Sequence, residues 1–252
     1  MMRTAVIGDI HGCYSTLIEL LKRIDYSPND KNTTIVFLGD YLDRGPKIRE
    51  TLDYLIKIKF TAGDRAVFLR GNHEDMLLHV DSDRVMGYSY WENLEFGRDS
   101  LACFDQGKIW TLNGGRETIK QVFSALEFNE MKRYLRFVRT LRIDYHESRF
   151  VCTHAGLVRG ITEDDPSTKV WNRNLLMYAG KTPLCICAHN PVKMPLHSGK
   201  NGFTQYDFGG EVYPLPSEGL IDIDTGAVFG FNLTAMVIEG ESFYMVSQKY
   251  CG

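Results

Sequence analysis

Five short stretches of this sequence gather the residue types that bind divalent cations and phosphate. The first is Gly8-Asp9-Ile10-His11-Gly12. Residues i and i+2 of an extended segment face the same way, so Asp9 and His11 can share one ion. Alone, an Asp-x-His pair reads more readily as a cap and a polar loop. Gly39-Asp40-Tyr41-Leu42-Asp43-Arg44-Gly45 is far more specific, since its five fixed positions recur by chance only about once in a million. Asp40 has two oxygens that can bridge two cations. Arg44 offers a fork of donors matched to a phosphate, and Asp43 can orient a histidine.

Gly71-Asn72-His73-Glu74 adds an amide oxygen able to coordinate a metal. Its His73 points elsewhere and can protonate a leaving oxygen. Glu74 reads more plainly as the start of a helix through Met76, Leu77 and Leu78. His154 in Thr153-His154-Ala155-Gly156 and His189 in Ala188-His189-Asn190-Pro191 complete the set. One strand-end histidine is usually structural; two of them beside an Asp-x-His, an Asp and an Asn reverse that reading. His79, His146 and His197 have no such setting and read as surface or loop residues. Mixed nitrogen and oxygen ligands suit Mn, Fe, Zn or Co better than Ca or Mg. There are too many ligands for one ion. Two ions about 3.5–4 Å apart would clamp a phosphate and generate a hydroxide for in-line attack.

Short apolar runs precede these motifs: Thr4–Ile7, Ile35–Leu38, Ala66–Leu69, Phe150–Cys152 and Leu184–Cys187. Their length and β-branched or aromatic content predict buried strands. Helical stripes fall between several of them, over Ser15–Ile24 with Ser15 as a candidate N-cap, over Ile48–Ile58 and over Asn129–Leu141. Alternating strand and helix predicts an α/β fold, whose ligands bind beyond the carboxyl ends of the strands. In the tail, Leu220–Asp224 alternates, Thr225-Gly226 reads as a turn and Ala227–Phe229 as a resumed strand. A hairpin is expected over Gly240. The stretches 81–115 and 183–216 lack clean periodicity and read as functional surface loops or lids. Tyr88, Tyr90, Trp91 and Phe96 there read as loop packing, with base stacking as the alternative.

The length, 252 residues, and 44% hydrophobic content fit a globular chain with a substantial core, taken as one domain over 1–252. No apolar run approaches the roughly 20 residues that span a bilayer, and Ala5-Val6-Ile7 is too short for a leader. A cytoplasmic location without membrane contact is expected. A net charge of −3 argues against a dedicated nucleic-acid binder. The six cysteines form no Cys-x-x-Cys pair, which points away from zinc ribbons and dithiol redox sites. Cys152, Cys185 and Cys187 in their apolar runs read as buried free thiols.

The five motifs, in this order, resemble those of the phosphoprotein phosphatase family of binuclear metallophosphatases. The likeness is strongest to the short bacterial and phage-type members, which include Ser/Thr phosphatases, and extends to the symmetrical diadenosine tetraphosphate hydrolases. Trp110–Gly115, followed by Thr118, is similar to an Asn-Gly-Gly element of the same groups. The resemblance implies a calcineurin-like β-sandwich flanked by helices. It assigns Asp9 and His11 to one metal, Asp40 as bridge, and Asn72, His154 and His189 to the second metal, with two divalent ions, Mn first. His73 supported by Asp43 would be the general acid, and Arg44 and Arg173 would hold phosphate oxygens. The substrate would be a phosphoprotein or a phosphorylated small molecule. Hydrolysis of phosphoserine and phosphothreonine is the first reading, with phosphotyrosine as an extension and symmetrical dinucleoside tetraphosphate hydrolysis as the alternative. Ala188 stands where the family usually has Gly, Asn190 where Thr or Gln is common, and the tail lacks the Ser-Ala-Pro-Asn-Tyr loop of the eukaryotic enzymes.

Overall fold

The computed structural model describes residues 2–82, 104–124, 128–158, 165–173 and 183–252. The chain opens with β1 (Arg3–Ile7), α1 (Tyr14–Arg23), β2 (Thr33–Phe37), α2 (Ile48–Ala62), β3 (Ala66–Phe68) and α3 (Asn72–Ser82). β1, β2 and β3 pair in parallel, with α1 and α2 as crossovers. Parallel neighbours require such crossovers, because a tight turn returns the chain antiparallel. A helical run follows from Phe104 to Phe123. It comprises α4 (Phe104–Trp110), a π-helical stretch over Thr111–Gly115, the single turn α5 (Arg116–Thr118) and a second π-helical stretch over Ile119–Phe123. Then come α6 (Phe128–Arg139), β4 (Asp144–His146), β5 (Phe150–Thr153), α7 (Pro166–Trp171) and β6 (Leu184–Cys187). The remainder is strand-rich: β7 (Leu196–Gly199), β8 (Gly202–Gln205), β9 (Val212–Pro214), β10 (Leu220–Asp222), β11 (Asn232–Glu239) and β12 (Ser242–Lys249).

These strands form two six-stranded sheets, in the orders β3-β2-β1-β11-β12-β9 and β4-β5-β6-β10-β7-β8. The strand period of two decides where each side chain goes. From the first sheet, Val6, Val36 and Val67 meet Cys152, Ile186 and Ile221 of the second in a shared core. Their neighbours Ala5, Ile7, Ile35 and Phe37 face the other way, onto Leu17 and Leu20 of α1, Leu52 and Leu55 of α2, and Tyr134 and Val138 of α6. Strands buried on both faces have no polar positions, which is why they read as unbroken apolar runs. The expected calcineurin-like architecture, two sheets flanked by helices, is the one observed. Among the described residues no helix is long and apolar enough to cross a membrane.

Four local expectations change. Ser15 lies inside α1 behind Cys13, and its hydroxyl accepts from Lys47 Nζ at 2.6 Å rather than capping the helix. Ala227–Phe229 is a 3₁₀ turn, not a strand, because Gly226 and Gly230 on either side take left-handed conformations. The 183–216 stretch is not a loop throughout. β7 and β8 form a hairpin that pairs with β10, and β9 crosses to the other sheet beside β12. β8 is exposed along its whole length, so it carries no alternating pattern to read. His197 accordingly sits half-buried in a strand. Within 81–115, α4 and the π-helical stretch replace loop; Tyr88, Tyr90, Trp91 and Phe96 lie outside the described residues, as does Cys103. Cys152, Cys185 and Cys187 are buried free thiols as expected.

Candidate active site

The carboxyl ends of β1, β2 and β3 from one sheet and β5 and β6 from the other meet at one edge. His154 just past β5 places Nδ1 at 3.1 Å from the Leu38 carbonyl past β2 and 3.7 Å from Asp9 Oδ1 past β1. The Ala188 amide past β6 donates to the His154 carbonyl at 2.8 Å. Gly71 lets the β3 end approach: a Cβ there would sit 2.0 Å from Asp40 Oδ1.

Asp40 is central. Its Oδ2 lies 3.3 Å from His11 Nε2 and 3.9 Å from His73 Nε2; its Oδ1 lies 3.5 Å from His154 Nε2. The ligand atoms of His11, Asp40 and His73 fall within 4.8 Å of one another, as do those of Asp40, His154 and His189. His11 Nδ1 is committed to the Leu42 carbonyl at 2.7 Å and His154 Nδ1 to Leu38. Both rings therefore present an Nε2 lone pair inward, the second-sphere arrangement that readies a histidine for metal.

Several observations fit cations in this space. His154 Nε2 faces two further acceptors, Asn72 Oδ1 at 3.2 Å and Asp40 Oδ1 at 3.5 Å, and lies 3.1 Å from His189 Nδ1. Asp9 Oδ1 and His189 Nε2 are buried with no hydrogen-bond partner among the described residues. Burial, reinforced by Asp224, Asp40, Asp222 and Glu74, pushes the Asp9 carboxyl well above its usual range. Burial and the neighbouring His154 push His189 down to about 2, so its ring is neutral. Buried acceptors and crowded carboxylates of this kind are stable when a cation compensates them.

The opposite wall handles protons. His73 Nδ1 donates to Asp43 Oδ2 at 2.6 Å, and Trp110 Nε1 donates to the same oxygen at 2.8 Å. Thr118 Oγ1 donates to Asp43 Oδ1 at 2.5 Å. His73 and Asp43 are 1% and 0% exposed, so this network works at low dielectric. Arg44 lines the pocket, donating from Nη1 to His11 Nε2 at 2.8 Å and from Nε to the Asn113 carbonyl at 3.3 Å. Arg173 lines it from the other side on an exposed segment. Asn190 Nδ2 ties that segment down through the Asn172 carbonyl at 3.3 Å. Eight of the ten predicted site residues thus line one pocket, with His154 buried behind Asn72 and Asp40 and Asp43 buried behind His73.

Sequence reasoning missed three contributors. Glu74 is more than a helix start: its buried carboxylate accepts the N–H groups of Asp40, Tyr41, Leu42 and Gly71 at 2.8–3.2 Å. Burial, and after it the charge of Asp40, raises its pKa to about 8 against those donors. Trp110 supports Asp43, and Asp224 lines the pocket with Asp222 buried behind it. Acids at 222 and 224, two apart in a buried strand pattern, were the available signal for the last.

Residues 2–193 match the family model of the calcineurin-like phosphoesterases. The chain is a calcineurin-like phosphoesterase. Among its relatives, this phosphoesterase is 24% identical over 249 residues to the asymmetrical bis(5'-nucleosyl)-tetraphosphatase PrpE of Bacillus velezensis, covering 91% of this chain and 86% of that one. It is 44% identical over 125 residues to the serine/threonine-protein phosphatase SIT4 of Candida albicans, covering 44% of this chain and 38% of that one. The latter likeness spans less than half of either protein. A Saccharomyces cerevisiae serine/threonine phosphatase structure with similarity to human PP5 superposes with a TM-score of 0.61 at 12% identity, covering 100% of this chain and 81% of that one. Relatives of both kinds place the phosphoesterase in the phosphoprotein phosphatase family.

Proposed function

We propose that this phosphoesterase, acting as one domain over residues 1–252 in the cytoplasm, hydrolyses phosphoserine and phosphothreonine in proteins, with phosphotyrosine as an extension. Asp9, His11 and Asp40 would hold one divalent cation, and Asp40, Asn72, His154 and His189 a second. Two such ions, Mn by first choice with Fe, Zn or Co as alternatives, supply charge neutralisation and a nucleophilic water at neutral pH when bound. With His11 Nε2 holding a cation, its hydrogen bond from Arg44 would be given up and the Arg44 fork would be free for phosphate oxygens. Arg173 reaches the same phosphate from the far wall, and together they offset charge on the equatorial oxygens.

His73 protonates the leaving oxygen from Nε2. Its Nδ1–H stays with Asp43, which holds the ring in place and fixes its tautomer. This dyad favours the phosphoprotein reading through leaving-group chemistry, not through its motifs, which the tetraphosphate hydrolases share. A serine or threonine alkoxide is a poor leaving group and needs a proton as the P–O bond breaks. A nucleoside polyphosphate leaves readily without one.

A second reading, hydrolysis of a dinucleoside tetraphosphate, is favoured by the PrpE relatives, whose similarity extends over more than nine-tenths of this chain. The deciding experiment compares kcat/KM of the Mn-reloaded protein on a phosphothreonine peptide and on diadenosine tetraphosphate, with Asp40→Asn as the blank. Preference for the peptide supports the first reading. Preference for the dinucleotide supports the second.

A further inference from the structure

Next to the pocket the protein holds two phenylalanines out in solvent. Phe229 is 55% exposed and Phe231 63% exposed. They are not on a loose loop. The amides of Phe229 and Phe231 both donate to the Gly226 carbonyl, at 3.0 and 3.3 Å, and that of Gly230 to Ala227 at 3.0 Å. Asn232 N–H donates to the Thr225 carbonyl at 3.2 Å, Thr225 Oγ1 donates to the Asn232 carbonyl at 2.8 Å, and Gly226 N–H donates to Asp224 Oδ1 at 3.0 Å. Gly226 and Gly230, at φ 70° and 86°, supply the two left-handed corners that let the turn close. The two rings converge on Gly226: a Cβ there would meet Phe231 at 3.2 Å and Phe229 at 3.6 Å.

This apolar rim is continuous with the phosphate pocket. Phe229, Val228 and Gly226 line the pocket itself. The Arg44 guanidinium stands 5.6 Å from the Phe229 ring centroid, and its Nε is held by Asn113, next to Leu112, which is 70% exposed. One arginine thus touches both the phosphate space and the rim. Its span matches one to two residues of extended peptide, at about 3.3–3.6 Å each. Val228, Phe229, Phe231 and Leu112 carry no side-chain donor or acceptor. Such a surface recognises hydrocarbon and does not read the edge of a base.

We propose that Phe229 and Phe231, beside Arg44, form a specificity subsite for an apolar or aromatic side chain lying within two residues of the phosphorylated serine or threonine in the substrate protein. The subsite rests on the phosphoprotein reading above and names the sequence context that reading lacks. Substrate peptides dock extended, with the phosphate on Arg44 and the neighbouring apolar side chain on the Phe229 and Phe231 rings.

The test uses the full-length, Mn-loaded protein and phosphothreonine peptides flanked within two positions by alanine alone or by one phenylalanine. Wild type should favour the phenylalanine peptide about tenfold in kcat/KM, the scale of an apolar pocket contact. In the Phe229→Ser/Phe231→Ser variant that ratio should fall below about two. Taking the ratio within each protein cancels any general change in activity. Phe231→Ser alone, at the more exposed position, gives the same reading if the double variant does not fold. An equal ratio in wild type, or a ratio that survives the substitutions, overturns the proposal. So does a double variant that keeps the peptide ratio and instead loses hydrolysis of diadenosine tetraphosphate, which would make the rim a base platform. If wild type hydrolyses no phosphoester, the proposed function has failed separately. Calorimetric binding of phosphonate analogues of the two peptides then reads the same ratio without turnover.

Discussion

Asp43 and Asp9 are both buried carboxylates in loops that follow strands of the same sheet, yet the protein surrounds them differently. Asp43 receives Trp110, Thr118 and His73, all within 2.8 Å. Asp9 keeps one oxygen with no hydrogen-bond partner among the described residues and faces Asp224 and Asp40 across the pocket. One wall is finished by protein atoms and can hold a proton at a defined place. The other is left open to cations. A carboxylate completed by donors is preorganised before substrate arrives, whereas one left among other carboxylates depends on what binds.

The largest expected effect falls on the open wall. Chelation of metal, or Asp40→Asn, should reduce turnover of any phosphoester by roughly a thousandfold or more, the several kcal/mol of charge stabilisation that a metal supplies. Mn should restore the chelated wild type and leave Asp40→Asn inactive, with metal content followed by elemental analysis. Retention of full activity and both metals by the variant would remove Asp40 as the bridge.

The finished wall should fail selectively. His73→Asn is expected to lower kcat on a phosphothreonine peptide about 10²–10⁴-fold, the usual worth of a general acid. On p-nitrophenyl phosphate, whose leaving group needs no proton, the loss should stay within about tenfold. Equal losses on both would show that His73 does something other than protonate. A smaller change tests the support behind it. Trp110→Phe removes one charge-assisted hydrogen bond to Asp43, of about 1.5–3 kcal/mol. A drop of about tenfold in kcat with unchanged metal content would separate the two walls; a loss of metal would merge them.

The smallest effect is one of stability. His189 titrates near 2 in the folded protein and near its ordinary value when unfolded. Between those values the unfolded chain binds the extra proton, so this group makes the metal-free protein less stable as pH falls through that window. The slope is at most about 1.4 kcal/mol per pH unit. The melting temperature of the chelated protein should therefore drop more steeply between pH 7 and 5 in wild type than in His189→Asn. Bound metal should flatten the difference.

Much of this contrast was legible in the sequence, for a physical reason. Asp9, His11, Asp40, Asn72, His154 and His189 follow strands buried on both faces, and such strands announce themselves as apolar runs cut off by a polar residue. The supports were harder to see. Trp110 acts on Asp43 across 67 positions of sequence, and Glu74 ties Asp40, Tyr41 and Leu42 from more than 30 positions away. Contacts made by tertiary folding leave no local period. Nor does an exposed edge strand such as β8, and glycines at 226 and 230 turned an expected strand at Ala227–Phe229 into a compact turn.

Six non-glycine residues in the described chain have a positive φ, and five of them, His11, Asp40, Asp43, Arg44 and His189, stand around the pocket. Each such conformation costs on the order of 1–3 kcal/mol. The molecule's least comfortable backbone is thus concentrated where its chemistry is concentrated. A laboratory selection for heat resistance alone would favour glycine at Arg44, where the backbone relaxes and no buried donor loses its acceptor. Thermostable survivors of such a selection should carry glycine there and have lost catalysis, so screens for a hardier version of this protein must score turnover and melting together.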